Sequence, residues 1–440
     1  MKKVLIIISL LIVFNNIYIN AQNSWKHLTK DDGLASTWVN DCLEDKQGSM
    51  WFATDKGLCK FDGEKVESFT KKTGLPLDRI MDLFIDKNGI IWFTIEPANN
   101  ASDIFGGMGG ATGVMLEALS KRGNGWGRYD GTNINAFLNK KSAEYLMSQM
   151  GNVNGEIWIG GINRKNKKGY FLVNYDGQTF DPLTQLGGVD FSSVNYFYAK
   201  GRDDIWFSSW AENENFIYNF DGSNIIAYGE KDGLPSKANC KFINTILKDS
   251  NGRLWFGASL EGKFGSLMRF DGTNWTTYTK DYGVIGKSIN QIVEDKDKNI
   301  WVGTNKGVNV FDGSKWTYYS QKNKLPGNII SVIFADSKGR VWIGTEKGLA
   351  LCDNGRWSMI NKKNGLTHNF VRSIFEDSKG NIWIGAASTW KWGGISLYDG
   401  NKCKPFAFRD VYANKFFEDS KGNIWVLSFG NGVLKKEGGF

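Results

Sequence analysis

Asp377-Ser378-Lys379-Gly380-Asn381-Ile382-Trp383-Ile384-Gly385 decides the reading of this chain, because it recurs with variations along the sequence. Near-copies run from Asp336 to Gly344, Asp295 to Gly303, Asp249 to Gly257 and Asp419 to Trp425. Looser copies surround Trp51, Trp92, Trp158 and Trp206. The nine anchor tryptophans, 51, 92, 158, 206, 255, 301, 342, 383 and 425, are spaced by 41, 66, 48, 49, 46, 41, 41 and 42 residues. A period in the forties with four short strand patterns per unit indicates an all-β, single β-propeller. The count predicts nine four-stranded blades. Eight is the alternative if the irregular stretch from Trp92 to Trp158 is not a full blade.

Each unit supplies its own punctuation. In the eighth, Val371 to Glu376 reads as the inner strand, Asp377 to Asn381 as a tight turn and Ile382 to Ala386 as the second strand. Gly394 to Tyr398 and Cys403 to Phe408 follow as third and outer strands, with a turn at Asp399-Gly400. Asp stands at the first turn in seven units, at 45, 86, 249, 295, 336, 377 and 419. These carboxylates read as Asx turns, since no bidentate Glu follows at calcium-loop spacing. The residue two places after the anchor Trp is small in eight of nine units, from Ala53 and Thr94 to Gly344 and Gly385. Such residues let adjacent sheets approach.

The ends complement each other. Trp25-Lys26-His27-Leu28-Thr29-Lys30-Asp31-Asp32-Gly33 aligns residue for residue with Trp275-Thr276-Thr277-Tyr278-Thr279-Lys280-Asp281-Tyr282-Gly283, a fourth strand. Asp419 to Gly438 reads as three strands without a fourth. The N-terminal strand is therefore expected to pair into the last blade and close the ring, which removes an open sheet edge.

Residues 1–21 read as a secretory signal peptide: Lys2 and Lys3, the apolar run Val4 to Phe14, and cleavage after Ala21. The propeller domain is then 22–440, expected in the periplasm or secreted, with no membrane span in the mature chain. Without Lys2 and Lys3 it carries 52 basic and 46 acidic side chains, interspersed, which is no nucleic-acid footprint. Cys42, Cys59, Cys240, Cys352 and Cys403 show neither CxxC nor metal spacing, and His27 and His368 are the only histidines. No metal, cofactor or disulfide framework is expected.

The pattern D-x-x-G-x-[IVL]-W-[IVF]-G-T-x-x-G-[LV], best seen at Asp336 to Leu349 and Asp295 to Val308, resembles the two-component regulator propeller repeat. That resemblance covers essentially the whole mature chain. It implies an exported, sensor-like propeller of the kind found in hybrid histidine kinases of Bacteroidetes-type bacteria, where such domains bind glycan fragments. This chain ends directly after its last blade, so the resemblance implies a binding or accessory part without its own kinase domains.

Turns after strands one and three are short and uniform, whereas connections after strands two and four vary. The long ones follow Trp92 (Glu96 to Gly127), Trp158, Trp206, Trp255 and Trp383. Long loops on a rigid scaffold are where binding usually lives. The candidate ligand-binding residues on that face are Trp390 and Trp392, Trp210 with Glu212, and Arg164 in a basic run. Exposed aromatics beside charges suit an oligosaccharide or an envelope protein. Five positions before each inner-strand Asp, or its equivalent, stand Asn40, Asn195, Asn244, Asn290 and Asn414, with Ser331 and Arg372 in two more units. Asn290 and Arg372 are candidates at the channel mouth, and capping of backbone between blades is the other reading of this row. The expected function is non-catalytic binding of a glycan or protein partner. A lyase-type propeller enzyme, using His368 on the loop face, and a structural or adhesion scaffold of the cell envelope are the alternatives.

Overall fold

A computed structural model describes residues 25–75, 79–96, 125–138, 145–163, 169–175, 180–182, 196–201, 203–209, 216–236, 242–259, 265–280, 283–387 and 393–438. They form nine four-stranded antiparallel sheets, each a meander from inner to outer strand. The inner strands are Val39–Glu44, Arg79–Ile85, Tyr145–Val153, Tyr196–Gly201, Phe242–Lys248, Ile289–Glu294, Ile330–Ala335, Val371–Glu376 and Ala413–Glu418. They define blades one to nine in that order. Within the stretch from Trp92 to Trp158, Gly125–Tyr129 and Ile134–Leu138 complete blade two, and Tyr145–Val153 opens blade three. The eight-bladed alternative is thereby set aside.

The ninth sheet is completed from the other end of the chain. Trp25–Leu28 pairs antiparallel with Gly432–Lys436, placing Trp25 opposite Lys436 and Leu28 opposite Val433. Its other strands are Ala413–Glu418 and Ile424–Ser428, so the inner one lies before Asp419 rather than after it. In blade eight the outer strand runs on from Cys403 to Val411, beyond Phe408, because Val411 pairs again with Gly393 after a register shift.

The repeated aspartate has a second task that spacing alone conceals. Asp336 accepts the backbone N–H groups of Lys338 (3.1 Å) and Arg340 (2.8 Å) on Oδ1, the Asx turn expected. Its Oδ2 accepts the indole Nε1–H of Trp342 at 2.8 Å and Arg340 Nε–H at 2.6 Å. The same Asp-to-Trp bond, six residues apart, occurs at Asp45, Asp86, Asp249, Asp295, Asp377 and Asp419, over 2.7–3.0 Å. A buried indole N–H needs a partner, and the turn carboxylate supplies one. Burial works against the charge of Asp249. The bonds from Trp255 and Arg253 outweigh it and hold the carboxyl below its ordinary value.

Neighbouring blades meet through three devices. The small residue two places after the anchor Trp receives the next blade's inner strand at Gly257, Gly303, Gly344 and Gly385. A Cβ on Gly344 would lie 2.6 Å from Val332 Cγ1 and 2.8 Å from Val371 Cγ1. We expect Gly344→Ala to destabilise the protein by about 1–3 kcal/mol through overpacking. A urea midpoint equal to wild type would show that the joint has room. Second, the turn serine clamps the next blade's inner-strand glutamate: Ser337 donates N–H (2.7 Å) and Oγ–H (2.6 Å) to Glu376. Ser250–Glu294 and Ser378–Glu418 repeat the clamp. Ser420 makes it with Glu44, at 2.7 and 2.6 Å, joining the last blade to the first.

The third device is a β-bulge. Most inner strands shift register after their first apolar residue, as between Val39/Asp41, Ile289/Gln291, Ile330/Val332, Val371/Ser373 and Ala413/Lys415. The skipped residue is the one carrying the recurring Asn, Ser or Arg. A bulge leaves that residue outside the ladder, which frees its side chain for the neighbouring blade.

Candidate functional site

Five of the seven residues singled out on the variable face, Trp390, Trp392, Trp210, Glu212 and Arg164, lie outside the described residues. Asn290 and Arg372 are described, and both are bulge residues. Asn290 Nδ2–H donates to the Ile330 carbonyl of the next blade at 3.2 Å, and its Oδ1 accepts from Ser288 Oγ at 2.7 Å. Asn40 does the same to Ile80 O (2.7 Å), Asn244 to Ile289 O (3.1 Å) and Ser331 to Val371 O (2.6 Å). This row thus satisfies backbone carbonyls between blades.

Arg372 departs from that pattern. Its Nε–H donates within its own blade, to Ala387 O at 3.0 Å, where the second-to-third connection begins. Its guanidinium lies 3.8 Å from the ring centroid of Phe370 and 5.4 Å from that of Tyr412. Tyr412 is 5.5 Å from Phe429, and Phe429 stacks on Trp38 at 5.6 Å with planes 21° apart. The five side chains form one continuous ladder, Phe370–Arg372–Tyr412–Phe429–Trp38, across blades eight, nine and one. All five are half-buried. Phe370, Tyr412 and Trp38 each immediately precede an inner strand's first apolar residue, and Phe429 sits in the second-to-third turn of blade nine. The ladder therefore belongs to the face of the variable connections. Burial lowers the Arg372 pKa, with Tyr412 acting in the opposite sense.

A signal for this ladder was present in the chain but easily missed. It is an aromatic one place before the apolar start of three inner strands, at 38, 370 and 412, in blades adjacent only once the ends meet.

Below the ladder, the next inner-strand position carries charge. Asp41 pairs with Lys415 across the last-to-first junction and accepts the backbone N–H of Leu83 in blade two at 3.1 Å. The surrounding protein raises the carboxyl of the neighbouring Asp82, Thr94 lowers it by a 2.9 Å bond, and Asp41 raises it further. Burial works against the charge on Lys415, yet Asp41 prevails and holds its pKa up. Among the described residues no group of three or more His, Cys, Asp or Glu side chains could hold a metal ion. Cys42, Cys59, Cys352 and Cys403 are buried thiols, and burial pushes Cys403 up to about 12. His368 accepts the Phe370 backbone N–H on Nδ1 at 3.0 Å, which shapes the turn leading into the ladder.

Five segments, residues 33–56, 238–259, 283–306, 324–347 and 365–388, match the family model described as two component regulator propeller. These are two-component regulator propeller repeats. Each matched segment spans an inner strand, its Asp turn and the anchor Trp, so the match falls on the blade-joining machinery described above. No curated protein matches the chain.

Among solved structures, the chain is similar to the extracellular domain of a putative one component system from B. thetaiotaomicron, at 17% identity and TM-score 0.32. That match covers 91% of this chain and 59% of the other, so the chain spans less than two thirds of that relative. The extracellular domain of a putative hybrid two component system from the same organism is 19% identical, covering 94% and 83%, with TM-score 0.25. Virginiamycin B lyase from Staphylococcus aureus is 14% identical, covering 93% and 97%, with TM-score 0.39. No helix among the described residues is long and apolar enough to cross a membrane.

Proposed function

We propose that the chain is an exported, non-catalytic binding propeller that takes a glycan on its variable-loop face, as a sensory or accessory part of a two-component system. The observation that carries this reading is the contrast between the two faces. On one, the aspartates of the turns spend their oxygens on their own loop and anchor Trp. On the other, the face of the variable connections, a half-buried run of four aromatic rings and an arginine spans blades eight, nine and one. Aromatic side chains with a polar neighbour supply large, rigid contact area at low entropic cost. The propeller repeats add the sensory context, and Trp390 and Trp392 stand three and five residues after Ala387 in the sequence.

A thermal-shift screen of residues 22–440 against soluble oligosaccharides tests the reading. A ligand at a hundred times its Kd adds about 2.7 kcal/mol, so one glycan class should raise Tm in a concentration-dependent way. A flat response across neutral and acidic sugars would reject glycan binding and turn attention to a protein partner, sought with the propeller as bait in an envelope extract.

A further inference from the structure

We infer that the variable face of blades six and seven, together with the connection into blade eight, is a docking surface for a polyanionic glycan, a chain of sugars carrying sulfate or carboxylate groups. This inference rests on the preceding reading that the variable face binds a glycan. Three observations carry it. First, charge is unbalanced there. The second-to-third turns at 305–307 and 346–347 and the connections at 320–329 and 361–370 carry Lys306, Lys347, Lys322, Lys324, Lys362 and Lys363 against a single acid, Glu346. Glu346 is committed to backbone: its Oε1 accepts the Asn328 N–H at 3.2 Å and its Oε2 the Ile329 N–H at 2.9 Å. On the opposite face of the same two blades, the turns at 295–299, 312–315, 336–340 and 353–356 set five aspartates against six basic residues. The excess positive charge therefore belongs to one face and not to the repeat as such.

Second, the lysines are held at their backbone and open at their tips. Each gives its own N–H to a nearby polar side chain: Lys306 to Thr304 (3.0 Å), Lys347 to Thr345 (3.1 Å), Lys322 to Ser320 (3.3 Å), Lys324 to Asn323 (3.0 Å), and Lys362 to Asn369 and Lys363 to Asn361 (2.8 Å each). All six residues are exposed. Lys347 Nζ–H donates to Gln321 Oε1 at 3.1 Å, which brings the blade-seven turn against the connection into that blade. Among the described residues none of the six stands in an ion pair. Third, the kind of charge points to the partner. An ammonium is a compact point charge without the planar fork of arginine, so the patch reads density of negative charge rather than the outline of one carboxylate. Protein interfaces favour arginine and aromatic residues and are poor in lysine. These four segments contain no arginine, and their one large exposed apolar residue is Ile329. A membrane surface would need a broader apolar face beside the charge. A flexible chain with an anion on successive units matches what is left.

The test is calorimetric titration of residues 22–440 with dextran sulfate and with dextran of equal length, which share a backbone and differ in charge. We expect the sulfated chain to bind and dextran to bind far more weakly. Affinity should fall on the order of a hundredfold between about 50 and 200 mM salt, the loss for about six released counterions. Lys322→Gln, Lys324→Gln, Lys362→Gln and Lys363→Gln combined should weaken binding roughly tenfold or more. Lys296→Gln, Lys298→Gln, Lys315→Gln and Lys338→Gln combined, on the opposite face, should leave it unchanged although the net charge drops equally. Acetylation with acetic anhydride, read by mass spectrometry, needs no variant: dextran sulfate should shield the six lysines and leave Lys296 and Lys315 reactive. Equal binding of dextran, equal loss in the two variants, or equal shielding on both faces overturns the inference. So does equally tight binding of polyglutamate or of phosphatidylglycerol vesicles, which would assign the surface to an acidic protein or a membrane. If a neutral sugar raises Tm while dextran sulfate does not bind, the inference fails alone and glycan binding stands. If no saccharide, neutral or sulfated, binds, both readings fall together.

Discussion

Replacing Trp342 by alanine lowers stability by about 3–5 kcal/mol, the range for a large aromatic removed from a packed core. Trp342 is fully buried between blades seven and eight, against Leu349 and Leu351 on one side and Val371, Ile382 and Ile384 on the other. It meets Tyr398 edge-on at 4.9 Å, and Arg340 lies 5.1 Å from its ring. Alanine therefore leaves a cavity at a joint, where neither sheet can close it without dragging its own neighbours. It also removes the indole N–H from Asp336, although Arg340 still bonds that carboxylate. Trp342→Phe is the milder change: one six-membered ring stays while the N–H and the rest of the indole are lost, so its cost should be smaller, about 1–3 kcal/mol. Urea unfolding followed by circular dichroism measures both. A Trp342→Ala midpoint within error of wild type would remove the anchor tryptophans from the account of what joins the blades.

Periodicity made the fold legible, because a propeller writes its core as a repeat. The inner-strand, Asp-turn and Trp unit was readable from one copy, and the complementary ends at Trp25 and Lys436 followed from aligning two segments. What periodicity cannot show is a partner in another unit. The Asp336–Trp342 bond hides because an Asx turn already explains the aspartate. The Ser420–Glu44 clamp hides because its members stand 376 residues apart. The asparagine row was visible, yet its meaning depends on the bulge, a one-residue register shift that leaves no mark in the apolar pattern. The ladder was the hardest to read. Trp38, Phe370 and Tyr412 are unremarkable singly, and they become a strip only when blade nine is completed by the N-terminal strand. Arg372 was found for its place in the row, and its difference from that row is what now distinguishes it.

Starting the chain at Thr29, which deletes the Trp25–Leu28 strand, should have the widest structural consequence of any short change. Trp25 and Leu28 are 8% and 1% exposed, so their lost burial alone is on the order of 5 kcal/mol. Trp25 meets Trp383 of blade eight edge-on at 6.1 Å, as Trp275 meets Trp206, Trp316 meets Trp255 and Trp357 packs on Trp301. The strand thus performs the outer-strand task seen in blades five, six and seven while belonging to the opposite end of the chain. Leu28 also joins Val39, Phe52 and Trp425 in one core, so its removal loosens the contact between the last and first blades. Without the strand, Gly432–Lys436 becomes an open edge, prone to pair with another chain. We expect faster amide exchange over residues 413–436, a lower Tm and concentration-dependent light scattering. A peptide of residues 24–29 added in trans should restore protection of Gly432–Lys436 specifically, because pairing from Trp25–Lys436 to Leu28–Val433 needs no covalent link. Wild-type exchange in the shortened chain would mean that the clamp from Ser420 to Glu44 and the pair of Lys415 with Asp41 hold the junction on their own. In that case the ladder should also keep its geometry, since Trp38 would still be fixed against Phe429 by the Gly430 N–H bond to Thr37 O at 2.9 Å.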